Sequence, residues 1–123
     1  MKGILYVDGG LRTDQMYLVE IPRGQGYAKV NSSPKERIEI DLPTKDNTSQ
    51  ETEFFAILCG ITECIRTKKV KIITDSQFCY NIIMKEWKLQ EPRLKLISSS
   101  VCALLSHYKI SVEWKPREEN LAT

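Results

Sequence analysis

The sequence predicts a mixed α/β fold in which a strand meander is followed by helical crossovers. Three observations carry this expectation. Two short apolar runs, residues 3–8 and 70–75, each end in an acid. Residues 37–42 alternate, with Ile38, Ile40 and Leu42 on one side and Arg37, Glu39 and Asp41 on the other. Two longer stretches repeat apolar residues at steps of three and four. The element order is three strands, helix, strand, two helices, strand, which implies a mixed sheet with helices on its faces.

Each element has its own signal. Residues 3–8 form a buried strand that stops at a Gly9-Gly10 turn. Residues 15–21 are a second strand candidate, closed by Pro22-Arg23-Gly24. Residues 26–30 read weakly, as strand or loop. Residues 37–42 read as a half-buried antiparallel strand. A helix follows over 50–66, with Phe54, Ile57, Leu58, Ile61 and Ile65 on one face. Thr48 or Ser49 is placed to cap its start, and Arg66 to Lys69 end it with positive charge. A strand over 70–74 runs into Asp75, and residues 76–87 are helical. After a break at 89–92, a helix over 93–107 turns Leu94, Ile97, Val101, Leu104 and Leu105 inward. Residues 110–114 are the last strand, and 116–123 a polar tail.

The 123 residues suit one domain spanning 1–123. The net charge of +2 excludes a strongly basic coat protein and leaves room for a local basic patch. No apolar run is long enough to span a membrane. An acid at position 8 comes too early for a signal peptide, so an intracellular chain is expected. Cys59, Cys64, Cys79 and Cys102 form no CxxC pair and read as reduced, mostly buried residues. His107, the single histidine, reads as a helix-end residue.

The chemistry gathers at the strand ends. Asp8 and Asp75 both close strands at the edge where open α/β sheets bind ligands. If the two strands are neighbours, the acids lie side by side, and Glu53 in the first turn of the long helix can join them. Three converging carboxylates repel and stay ionised together only around a cation. Magnesium suits such an oxygen-only site, and a metal pair can activate water and stabilise the leaving oxygen of a phosphodiester. Taken singly, each acid also suits a solvated turn or a helix-dipole partner.

These residues resemble a known family. Ile4-Leu5-Tyr6-Val7-Asp8-Gly9-Gly10 looks like the first catalytic strand of type 1 ribonuclease H. Thr48-Ser49-Gln50-Glu51-Thr52-Glu53-Phe54-Phe55-Ala56-Ile57-Leu58 resembles the block that holds its second acid, here Glu53. Thr74-Asp75-Ser76-Gln77 resembles the third block. Asn81-Ile82-Ile83, Trp87 to Leu94 and Trp114-Lys115-Pro116-Arg117-Glu118-Glu119-Asn120-Leu121-Ala122 look like the reverse-transcriptase-like branch. The blocks occur in family order over nearly the whole chain.

The resemblance implies a ribonuclease H-like five-stranded mixed sheet, order 3-2-1-4-5, with helices on both faces and the C-terminal helix missing. It implies endonucleolytic hydrolysis of the RNA strand of RNA–DNA hybrids by two Mg2+ ions, with Mn2+ as a possible substitute. Asp8, Glu53 and Asp75 are then the catalytic and metal-binding residues. Gly9, Gly10, Ser49, Gln50, Gln77 and Arg117 are the candidate substrate contacts. Hybrids are read through groove, 2′-hydroxyl and phosphate rather than base edges.

Arg66, Lys68, Lys69 and Lys71 are further phosphate candidates, or a solvated face. Trp87 with Lys85 and Lys88 resembles a reduced basic handle, or a core anchor. The departures are as informative as the matches. Thr123 stands near the place of the family's fourth carboxylate, leaving Glu119 and Asn120 as possible auxiliaries. Arg117 occupies the region of the family's mobile histidine. Leu11 to Asp14 replace its glycine-rich turn, and Ser49-Gln50 its Asn-Asn pair. The alternative is a catalytically weakened module that binds nucleic acid or a protein partner. The oligomeric state is left open.

Overall fold

The computed structural model describes residues 3–11, 25–33, 36–43, 46–85, 89 and 91–122. The strands are β1 (Ile4–Leu11), β2 (Gly26–Ser33), β3 (Glu36–Asp41), β4 (Lys71–Thr74) and β5 (Ser111–Trp114). The helices are α1 (Ser49–Thr67), α2 (Gln77–Lys85) and α3 (Pro92–Tyr108), followed by a 3-10 turn at Arg117–Glu119. The sheet has the order β3-β2-β1-β4-β5. β1, β2 and β3 form an antiparallel meander, and β4 and β5 continue parallel to β1. The α/β class and the strand order match the expectation.

Local chemistry explains the helix limits. Thr48 caps α1 in a reciprocal box: its hydroxyl accepts from Glu51 N at 3.4 Å, and Glu51 Oε1 accepts from Thr48 N at 3.1 Å. The helix ends at Lys68 in the left-handed conformation, with φ 60°. α3 starts on Pro92, whose missing N–H costs nothing there, and Glu91 caps it by accepting from Leu94 N at 2.8 Å.

The core sits between one sheet face and the helices. Leu5, Val7, Ala28, Val30, Ile72 and Val112 pack against Phe54, Ile57 and Ile61 of α1, Ile82 of α2, and Val101 and Leu105 of α3. Burying each such side chain contributes roughly 1.5–3 kcal/mol. Cys59, Cys64 and Cys79 are buried and Cys102 half-buried, and none forms a disulfide.

Four details depart from the sequence expectation, and two of its readings cannot be compared. β1 does not stop at Asp8; it runs through Gly9-Gly10 to Leu11, because β2 continues the ladder by pairing Gly9 with Ala28 and Gly10 with Tyr27. The weakly read segment from Gly26 is a full strand. The candidate strand over 15–21, and Trp87 with Lys88, lie outside the described residues. Ile38 and Ile40 are 37% and 38% exposed, since α1 packs over β1, β2 and β4 and leaves the outer strand β3 uncovered. Helices are expected on both faces; among the described residues, α1, α2 and α3 all pack on one. The other face offers a small apolar patch of Ile4, Tyr6 and Ile73, against which Ala122 packs.

The tail is therefore anchored rather than loose. Asn120 is buried; its Nδ2 donates to Val7 O at 2.9 Å, and its Oδ1 accepts from Ala122 N at 2.9 Å. That latch closes on β1 one residue before Asp8. Among the described residues, no helix is long and apolar enough to cross a membrane.

Candidate metal centre

Two parallel strands and one helix deliver three acids. β1 and β4 are direct neighbours, with Val7 opposite Thr74, so Asp8 and Asp75 follow side by side. Trp114 Nε1 donates to the Asp75 carbonyl at 3.1 Å, and Ser76 N donates to Thr74 Oγ1 at 3.1 Å, which hold the turn after β4. Glu53 comes from α1, and Gly9 sets its position. A Cβ at Gly9 would lie 2.2 Å from Thr52 O and 2.7 Å from Glu53 N, so only glycine lets the helix backbone come this close. At that approach Gly9 N donates to Glu53 Oε1 at 2.6 Å.

The result is one cluster. One ligand oxygen from each of Asp8, Glu53 and Asp75 lies within 4.8 Å of the others. These acids line an open cleft with Gly9, Gly10, Tyr27 and Arg117. Burial, and then the Asp75 charge, push Asp8 up from the ordinary 3.8 to about 6; Lys29 and Arg117 act in the opposite direction. Burial, and then the Asp8 charge, push Glu53 up to about 9, against the pull of the Gly9 N–H. Packing thus forces together charges that disfavour one another, and a cation would relieve that conflict. An oxygen-only donor set opening on a cleft fits a hard divalent ion that keeps water or phosphate ligands.

The other predicted residues separate into groups. Gly9, Gly10 and Arg117 border the carboxylates. Ser49 and Gln50 are exposed in the first turn of α1, and Gln77 is exposed in the first turn of α2. Gln50 also lines a neighbouring groove with Thr48, Glu51, Phe78, Arg93 and Leu94. There Arg93 pairs with Glu51 at 2.7 Å and donates to Asp46 O at 2.6 Å, tying the start of α3 to the start of α1. Glu119 is exposed on the 3-10 turn, outside the carboxylate cluster, and both ends of the Asn120 amide serve the tail latch.

The basic run cannot join this site. Lys68 lies 15 residues beyond Glu53 along α1, roughly 22 Å away. Arg66 pairs with Glu63 at 2.7 Å and Lys71 with Glu113 at 3.3 Å. Sequence reasoning missed Tyr27 and Lys29, which oppose Gly10 and Asp8 across the β1–β2 ladder. Only the pairing register identifies them.

Comparison with known proteins agrees with this geometry. No curated protein matches the chain in sequence. Solved structures do resemble it. The N-terminal RNase H domain of rv2228c from Mycobacterium tuberculosis, solved as a maltose-binding-protein fusion, is 19% identical with a TM-score of 0.69; the match covers 95% of this chain and 84% of that one. RNase H1 from the halophilic archaeon Halobacterium salinarum is 17% identical with a TM-score of 0.71, covering 98% and 89%. LC11-RNase H1, solved in complex with an RNA/DNA hybrid, is 18% identical with a TM-score of 0.67, covering 95% and 87%. At these identities the likeness is one of fold. The sequence model of the RNase H family matches residues 2–116. That match spans nearly the whole chain and includes all three clustered acids, so the protein belongs to the RNase H family.

Proposed function

We propose that this protein hydrolyses the RNA strand of RNA–DNA hybrids with two bound Mg2+ ions, inside the cell. The observation that carries the reading is the convergence of Asp8, Glu53 and Asp75 at one open cleft. Family membership and the hybrid-bound LC11-RNase H1 support the substrate class.

Each side chain has a definite task. Asp8, Glu53 and Asp75 would hold the ions, and the Gly9 N–H keeps Glu53 turned towards the two aspartates. Bound divalent metal would activate water and offset charge on the leaving oxygen. Arg117, at the cleft wall, offsets phosphate charge beside Asp8. Ser49, Gln50 and Gln77 present hydrogen-bonding groups from two helix starts, suited to groove and 2′-hydroxyl contacts. The Gly9-Gly10 backbone keeps the floor of the cleft low. Glu119, on the tail, is the auxiliary acid of this reading.

The test is cleavage of a labelled RNA–DNA hybrid in Mg2+. The wild-type chain should cut the RNA strand. Asp8→Asn and Asp75→Asn should each lose at least ~100-fold, the scale of removing one electrostatic stabiliser of a reacting centre, with the fold intact by circular dichroism. No cutting by the wild-type chain in Mg2+ or Mn2+ would end the reading.

One observation favours a second reading. Among the described residues no fourth carboxylate joins the cluster, as expected of a weakened module that binds nucleic acid without cutting it. Such a module would bind hybrid yet show no carboxylate-dependent Mg2+ stabilisation in thermal melts.

A further inference from the structure

The cleft has two flanks. The sheet order places β2 on one side of β1, and β4, β5 and the tail on the other. Arg117 lines the cleft from the tail side. On the β2 side Lys29 stands directly opposite Asp8, and Tyr27 opposite Gly10. Opposed residues in an antiparallel ladder share a face, and alternate residues of a strand share one too. Lys29, Tyr27 and Asp8 therefore lie on the same face. Lys29 Nζ sits 5.2 Å from the centre of the Tyr27 ring, within cation–π range. Tyr27 itself lines the cleft, with its hydroxyl end over Gly10. The charges of Lys29 and Arg117 both reach Asp8.

We propose that Lys29, steadied on the Tyr27 ring, binds a backbone phosphate of the nucleic acid on the β2 side of the carboxylates. Arg117 takes the opposite flank. The proposal rests on the nucleic-acid reading above. A strand crossing the cleft carries a phosphate to either side of the one over Asp8, Glu53 and Asp75. Metal held by the acids would draw the central phosphate, and the flanking cations supply attraction for those on either side. Tyr27 adds what a bare counter-charge would not need: a platform that fixes the ammonium at the cleft rim. The Lys29–Tyr27 pair would thereby set which phosphate lies over the acids, making it a device of register as well as affinity.

The experiment is hybrid binding by fluorescence anisotropy in Mg2+, in an Asp75→Asn background that keeps the substrate intact, with and without Lys29→Gln. Lys29→Gln should weaken binding about tenfold at low salt and reduce the slope of log affinity against log salt by about 0.9. Lys29→Arg should restore most of both. Single neutral methylphosphonates walked along the strand should locate one position that weakens the Asp75→Asn protein but not the Lys29→Gln variant. An unchanged salt slope with no such position would overturn the proposal, as would a change confined to Mg2+ affinity, the mark of a counter-charge to Asp8 alone. Absence of hybrid binding at any salt would overturn it too. Failure of the parent reading looks different: the wild-type chain would not cut the hybrid, while the phosphate-mapping result stands or falls separately.

Discussion

Glycine lets helix α1 come down close on the sheet, and two of these contacts contrast. At one the glycine is on the helix: a Cβ at Gly60 would lie 2.8 Å from Val7 Cγ1 and 3.3 Å from Ile72 Cδ1. At the other it is on the strand: a Cβ at Gly9 would lie 2.2 Å from Thr52 O. The first contact is helix backbone on side-chain methyls in the apolar core, and it stabilises. The second is backbone on backbone, and it presses a half-buried glutamate against two aspartates. The same device thus serves packing at one end of the interface and charge confinement at the other. The core holds together a site that electrostatics alone would open.

The sharpest way to break that comparison is to add one methyl at each place. Gly60→Ala meets side chains that can shift, so overpacking of ~1–3 kcal/mol is partly offset by ~1 kcal/mol of helix propensity. Tm should fall by a few degrees, with hybrid cleavage near wild type. Gly9→Ala meets a carbonyl that cannot yield unless α1 moves. A displacement of about 1 Å at a reacting site costs ~100-fold in rate, so cleavage should collapse while circular dichroism still reports a folded chain. Equal loss of activity in the two variants would show that Gly9 has no special place.

Charge confinement makes a second prediction, read in metal-free buffer. Asp8 and Glu53 hold their protons more tightly folded than unfolded. Between the unfolded and folded values the native state therefore binds more protons, and stability falls as pH rises. For Asp8 the loss runs from its ordinary 3.8 to about 6; for Glu53 it continues from 4.5 towards about 9. In EDTA the wild-type Tm should decline across this window. Asp8→Asn should flatten the decline and raise stability at pH 8 by on the order of 1 kcal/mol once solvent screening is allowed for, seen as a higher Tm. Mg2+ should raise the Tm of the wild-type chain and not that of the variant. A pH-independent Tm in EDTA would show that the acids are not in conflict.

The two contact regions also differ in how far they could be read from residues alone. The apolar steps of α1 and the acids at positions 8 and 75 are local signals, and they led to helix α1 and to acids that the structure brings together. Gly9-Gly10 misled, because a glycine pair signals a turn when its neighbours in space are unknown. Here the pair lies within a strand, and Gly9 serves Thr52, 43 positions away. Lys29 and Tyr27 went unnoticed for a related reason: only the ladder register sets them opposite Asp8 and Gly10. Asn120 sat in what reads as a polar tail, yet its bond to Val7 O joins positions 113 apart. Ile38 and Ile40 alternate as a half-buried strand should, but α1 packs over β1, β2 and β4 rather than over β3. Chemistry carried by neighbours in sequence was legible; chemistry created by one element approaching another was not.

The latch and the two ends of α1 give the smaller effects. Asn120→Ala leaves the Val7 carbonyl and Ala122 N–H without their partner in a buried place, a cost of ~1–3 kcal/mol. It should lower Tm and raise amide exchange on β1 around Asp8. At the site end of the helix, Thr48→Ala removes one half of the capping box and should cost ~1 kcal/mol. Because Glu53 lies five residues on, cleavage should weaken by a few-fold as that turn frays. At the far end Lys68 holds φ 60°, a conformation glycine adopts without strain. Lys68→Gly should raise stability by up to about 1 kcal/mol and leave cleavage at the wild-type rate, since that end touches none of the acids. If fraying the start of α1 and relaxing its end moved cleavage equally, the division between a positioning end and a packing end would be wrong.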